Sequence, residues 1–262
     1  MNQLTEERIT HHLNKVMDRI IKKRTKDEPF NEEDVIKQNP FGYRLVPIEV
    51  WKGSKFERSF VTALGQGIFE QIAKIIAEGT GSKASNQHDT HFTINSWRLE
   101  KIEEILSGLR LKRRKPDWEN EIKEILLLDN TKYEDVVVKS DLYIKRPDGN
   151  EEFYSFKTVK PNLDQTERAK RDMLRLIAAN ANYQPYFALP FNPAGEGNQY
   201  SQAHKMPYKL FDMDSDSSVL IGAALWNKIG NDKNTYNQLI NIFDKVGKKY
   251  SNMIREDYLG ID

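Results

Sequence analysis

A chain of 262 residues with 38% hydrophobic and 30% charged side chains can bury one substantial core, and its composition points to neither disorder nor a fibrous repeat. Having no cysteine, it is excluded from disulfides, thiolate metal sites and cysteine nucleophiles. A net charge of +1 is not that of a strongly basic protein, and no stretch approaches the roughly 20 apolar residues of a membrane span or the apolar core of a signal peptide, so a cytoplasmic protein with no membrane partner is expected.

In chain order, Ile9, Leu13, Val16, Met17, Ile20 and Ile21 form one apolar stripe and predict an amphipathic helix over 5–24. A polar, proline-bearing segment runs to about Tyr43, followed by an extended stretch through Trp51. Phe56, Phe60, Leu64, Ile68, Ile72 and Ile76 recur every four residues and predict a single helix over 54–78, ended by Gly79 and Gly81. Residues 82–95 are polar and read as a loop. Within them, His88-Asp89-Thr90-His91 is a poor match to zinc-site spacing and has no third or fourth ligand beside it. Helices over 97–111 and 117–129 follow, joined by the basic link Lys112-Arg113-Arg114-Lys115, a candidate for contacts to a polyanion.

The strongest strand signal comes next, over 136–144 and 152–159, around the turn Pro147-Asp148-Gly149. A helix over 164–179, a strand over 186–189 stopped by Pro190, a polar loop over 192–207, an apolar segment over 218–230 and a helix over 234–254 complete the chain. Together these elements predict an α/β fold with a central mixed β-sheet flanked by helices. One domain is expected, with its core at about 54–230 and the terminal helices as embellishments.

The turn suits a type I geometry with Gly149 in the left-handed position, making a three-residue hairpin loop with a bulge. Arg146 then faces Asn150, and counting back along both strands puts Asp141 opposite Ser155, with Lys157 as its diagonal neighbour. Side chains alternate, so Asp141, Ser155 and Lys157 share one face while Val138, Leu142, Ile144, Tyr154 and Phe156 share the other, a credible core face. A carboxylate, a hydroxyl and an ammonium are thereby gathered within a few ångströms.

Asp141, a turn, then Ser155-Phe156-Lys157 resembles the PD-(D/E)xK nuclease signature, and the run 140–174, through Thr158-Val159-Lys160-Pro161-Asn162 and the following helix, resembles the TdeIII family of Type II restriction endonucleases. A weaker likeness covers 187–193 and 219–230. This resemblance implies a restriction-endonuclease-like core, a Mg2+ cofactor, double-stranded DNA as partner, a homodimer and a GGNCC-type target. Two positions depart from the signature: Ser140 replaces proline, and Ser155 replaces the acid before the lysine, leaving the site one carboxylate short.

Glu152 has the wrong parity to replace that acid, and Glu151 lies roughly 20 Å back along the strand. Related nucleases carry a glutamate on an early helix, a place that Glu70 fits, in one stripe with Gln66, Ala73 and Ala77. The expected roles are Asp141 as central metal ligand, the Phe156 carbonyl and Glu70 as further ligands, Lys157 orienting a water or stabilising phosphate charge, and Ser155 as a hydrogen-bonding group. Lys160, Gln165, Arg168, Lys170 and Arg171 are the candidate DNA contacts, and the amide-rich segment 192–204 is a candidate base reader. Two rival expectations are a structure-selective or repair nuclease of the same fold, which would lack a neighbouring methyltransferase gene, and a non-catalytic DNA-binding module, which would not cut with magnesium.

Overall fold

The computed structural model describes residues 1–65 and 67–261. The chain divides into two compact units, Met1–Ile72 with Asn237–Asp262, and Ala73–Tyr236.

In the first unit, α1 (Gln3–Lys22) starts where the Asn2 side chain accepts the Thr5 N–H, and it buries the stripe Ile9, Leu13, Val16, Ile20 and Ile21. α2 (Glu32–Gln38) is capped in the same manner by Asn31. The extended stretch expected through Trp51 is instead helical: Pro47, fixed at φ −60, leads into α3 (Ile48–Leu64). The single helix expected over 54–78 is two, α3 and α4 (Ile68–Gly79), because Gly65 closes the first and Gly67 adopts φ +79, which no α-helix contains. Gln66 lies outside the described residues. In the C-terminal part of this unit, Leu239, Ile242, Val246 and Tyr250 bury one face of the last helix, and the Tyr250 hydroxyl donates to Asp18 at 2.6 Å.

The second unit is built on β1 (Lys83–Asn95), β2 (Tyr133–Lys145), β3 (Glu151–Phe156), β4 (Gln184–Leu189) and β5 (Val219–Ile221). Among the described residues these form one five-stranded sheet in the order β1-β2-β3-β4-β5, antiparallel across the first two interfaces and parallel across the last two. Its helices are α4 from Ala73 onward, α5 (Ser96–Arg110), α6 (Trp118–Leu126), α7 (Leu163–Ala179), α8 (Ala223–Gly230) and the start of α9 (Thr235–Met253). The expected α/β architecture with a mixed sheet is what the chain adopts.

β1 overturns the expected loop over 82–95. It pairs with β2 along nearly its whole length, Thr90, Phe92 and Ile94 facing inward while Asp89, His91 and Thr93 face out. Its polar composition comes from lying at a sheet edge, where one face meets solvent.

The helical layer on one face of the sheet contains Ile102, Ile105 and Leu109 of α5, Trp118 and Ile125 of α6 and Met173, Leu174 and Ile177 of α7, packed with Phe187 and Leu189 of β4. On the other face Phe156 meets Trp226 of α8, whose indole N–H donates to the Pro190 carbonyl at 2.7 Å. β3 ends at Phe156 rather than 159, although the Lys157 N–H still reaches the Ala188 carbonyl at 3.0 Å. The segment that follows is held by the Tyr200 hydroxyl on the Val159 carbonyl and by His204 on the Pro161 carbonyl, both at 2.8 Å. It delivers the chain to a capping box between Asn162 and Gln165 that opens α7.

Candidate active site

The β2–β3 hairpin has the geometry its turn residues dictate. Gly149 sits at φ +92, its N–H donates to the Arg146 carbonyl at 3.0 Å, and the Arg146 N–H donates to the Asn150 carbonyl at 2.8 Å. Leu142 pairs with Tyr154, Tyr143 with Phe153, Ile144 with Glu152 and Lys145 with Glu151. The pairing ends there, one residue short of Asp141 and Ser155. Leu142, Ile144, Tyr154 and Phe156 are buried on one face, whereas Val138, expected to share it, is buried with Phe153 and Leu176 of α7 instead.

On the other face, the Lys157 ammonium lies 3.1 Å from Asp141 Oδ2 and 2.9 Å from the Phe156 carbonyl oxygen. The Lys157 and Asp141 side chains are only 20% and 25% exposed, so the pair is shielded yet reachable from solvent. Gln87, on β1, donates to Asp141 Oδ1 at 3.4 Å from a left-handed backbone (φ 51). No sequence signal marks Gln87, because its strand reads as a loop. Asp172 of α7 is a further carboxylate near this face. Burial pushes its carboxyl up from the usual aspartate range, and Arg175, Arg168 and Lys157 pull it back.

The two glutamates set aside as replacements, Glu152 for its parity and Glu151 for its distance, are occupied elsewhere. Glu152 is buried between Arg146 at 2.7 Å and Lys228 at 3.2 Å and accepts the Tyr154 hydroxyl, while Glu151 accepts the Tyr143 hydroxyl at 2.6 Å. Glu70 lies in the first turn of α4, in the first unit, whereas Asp141, Ser155, Phe156 and Lys157 belong to the second. His88 and His91, three apart on β1, point to opposite faces, and His88 stacks on Tyr143 with ring centroids 4.2 Å apart.

Of the expected DNA contacts, Lys160 and Arg168 are exposed. Gln165 is exposed too, but its side-chain carbonyl accepts the Asn162 N–H of the capping box. Arg171 is held by Glu103 at 2.8 Å and Glu167 at 2.9 Å. Lys170, expected at the DNA, is instead fully buried, 2.5 Å from Glu121, with its ammonium between the rings of Trp118 and Phe211, and it has no surface to offer a phosphate. An alternation of faces on α7 explains this, because residue 170 falls on the helix side turned to α6 while 168 falls on the side turned to solvent. In the basic link, Arg114 turns to Glu124 at 2.7 Å. The amides of Asn192 and Asn198 brace their own loop, donating to the Asn198 and Ala194 carbonyls at 2.8 and 2.7 Å.

A five-stranded mixed sheet flanked by helices is an α/β fold consistent with the core of a Type II restriction endonuclease. Comparison with known proteins agrees. Residues 5–247 match the HinfI family of Type II restriction endonucleases, and the chain belongs to that family. It is 29% identical over 227 residues to the Type II restriction enzyme HgiCII of Herpetosiphon aurantiacus, a match that spans 84% of this chain and 81% of the relative. Likeness to HgiEI of the same organism is 28% over 228 residues, covering 84% and 81%, and to MjaII of Methanocaldococcus jannaschii 26% over 212 residues, covering 74% and 55%. The chain is thus a site-specific endonuclease. The matching family is HinfI's, so the GGNCC-type target implied by the TdeIII resemblance draws no support from it.

Proposed function

We propose that this protein hydrolyses phosphodiester bonds of duplex DNA at a short palindrome in a magnesium-dependent reaction, as a homodimer acting in the cytoplasm. The observation that carries the reading is the convergence of Asp141 Oδ2 and the Phe156 carbonyl on one cation, the Lys157 ammonium, at 3.1 and 2.9 Å. Two oxygens that already converge on a positive charge fit a hard divalent ion, which favours oxygen ligands and keeps several waters. When bound by Asp141 and Phe156, magnesium supplies charge neutralisation at the phosphate and a more acidic water.

Lys157 then orients the attacking water and stabilises charge building on the phosphate, and Ser155 hydrogen-bonds a water or a phosphate oxygen. Attack is in line: the water oxygen bonds to phosphorus as the bridging P–O bond breaks, leaving a phosphate on one end and a hydroxyl on the other. Lys160 and Arg168, both exposed, are the cations available to neighbouring phosphates. A palindromic substrate matches a two-fold protein, and the first unit exposes Phe41, Leu45, Val50 and Val61, apolar surface that a second copy would cover.

Cleavage of phage DNA with magnesium tests the reading, comparing the wild type with Asp141→Ala and Lys157→Ala. Discrete fragments lost in both variants are expected, with fragment ends giving the target, for which GGNCC is the first sequence to examine. Intact DNA with the wild type under all conditions would refute it.

A further inference from the structure

Ser155 leaves the site one carboxylate short, and the crossover helix offers a replacement. α7 joins the parallel strands β3 and β4 and therefore runs antiparallel to both. Leu176 of α7 packs in one cluster with Phe153 of β3, which fixes how helix and strand lie against each other. From that contact, two residues along β3 lead from Phe153 to Ser155, about 6.6 Å further on. One turn back along α7 leads from Leu176 to Asp172, about 6 Å in the same direction. Asp172 and Leu176 share a helix face. Asp172 is thereby carried to the level of Ser155, on the face that holds Asp141 and Lys157.

The surroundings of Asp172 agree with this placement. Its side chain is 25% exposed, and its cation on α7, Arg175, stands off at 3.9 Å, itself turned also toward Glu103. A carboxylate with so much of its hydration removed and so long an ion pair is poorly compensated by the fold alone. Lys157 is among the charges that act on it, as is Arg168 one turn earlier. By contrast, the neighbouring Glu167 is fully engaged by Arg110 and Arg171 at 2.5 and 2.9 Å.

Resting on the metal-dependent reading above, we propose that Asp172 is the second carboxylate of the metal site, doing from the crossover helix what the acid before the lysine does from the strand. Asp141 and the Phe156 carbonyl then hold the cation from the hairpin, Asp172 holds it from α7, and Ser155 beneath it is free to bind water.

Manganese binding to the purified protein without DNA tests this, by isothermal titration calorimetry. Asp172→Asn is expected to weaken Mn2+ binding at least about tenfold with the melting temperature unchanged or raised, and Asp172→Glu to restore most of it. Asp164→Asn, which removes an equal charge from the exposed start of the same helix, is expected to bind as the wild type does. Wild-type Mn2+ affinity in Asp172→Asn, alongside loss in Asp141→Asn, overturns the assignment while leaving the metal site intact. A loss in Glu70→Gln but not in Asp172→Asn overturns it in favour of the early-helix acid. Unchanged binding in both Asp141→Asn and Asp172→Asn overturns this proposal together with the reading on which it rests.

Discussion

Two lysine–carboxylate pairs, one on the hairpin and one on the crossover helix, sit in opposite circumstances. Lys157 and Asp141 meet at 3.1 Å with a fifth to a quarter of each side chain open to solvent, on the polar face of the hairpin. Lys170 and Glu121 meet at 2.5 Å with no exposure, the ammonium stacked between Trp118 and Phe211 and Glu121 Oε1 accepting the Asp117 N–H. Desolvation pulls the Lys170 pKa down, and Glu121 holds it up. On the proposed function, the first pair would exchange its partner for a metal or a phosphate. The second is sealed, and its work is to join α6 to α7, the helix that stands behind the site. The residue types match closely in both; access to water separates them.

The contrast breaks most sharply in activity. Lys157→Ala and Asp141→Ala are expected to lower cleavage at least about a thousandfold while changing folding stability by no more than about 1 kcal/mol, since a partly exposed pair contributes little to folding. Parallel cleavage assays and denaturant melts check both halves. Lys170→Met should do the reverse in kind, costing about 3–5 kcal/mol by leaving Glu121 buried without its partner. Adding Glu121→Leu should recover most of that loss, because a well-packed apolar pair replaces a sealed ionic one at little net cost. A double variant as unstable as Lys170→Met alone would mean that the pair contributes more than mutual neutralisation.

Asp216, beside the sealed pair, sharpens the comparison through pH. Burial raises its carboxyl from 3.8 to about 6, against the pull of Lys170. The folded state therefore holds this proton more tightly than the unfolded one, so the associated stability is present below about pH 3.8 and is lost as pH rises through about 6. Asp216→Asn is expected to melt above the wild type at pH 8, with the gap narrowing by pH 5. A gap independent of pH would contradict this. The smallest effect is expected at the surface: Arg168→Ala should reduce the salt dependence of DNA binding by about one unit of slope, and Lys170→Met should leave that slope unchanged.

Much of the second unit is legible in the sequence because local signals there agree with one another. Pro147-Asp148-Gly149 specifies its turn, the turn specifies the register through Leu142 and Tyr154, and beyond it Asp141 meets Lys157. Where sequence and structure part, the deciding information is not local. β1 reads as a loop because its stability comes from pairing with β2, a strand on the far side of two helices in the chain, rather than from apolar residues of its own. α3 and α4 read as one helix because apolar spacing runs through Gly65 and Gly67 without registering the positive φ between them. Lys170 reads as a phosphate contact because only packing reveals that its side of α7 faces Trp118 and Phe211. Gln87 and Asp172 carry no motif, and their relevance depends on the fold that brings β1 and α7 to the hairpin.

The lysine that bridges Asp141 and the Phe156 carbonyl also governs how a substrate is received. A lone aspartate at this position would present an uncompensated negative charge to every incoming phosphodiester. With the ammonium 3.1 Å away, approaching DNA meets a local dipole instead, and the repulsion is largely cancelled before any ion is recruited. On the proposed metal-dependent reading, binding of the duplex and loading of the cation would then need no fixed order, and the protein would scan DNA with this site electrically quiet.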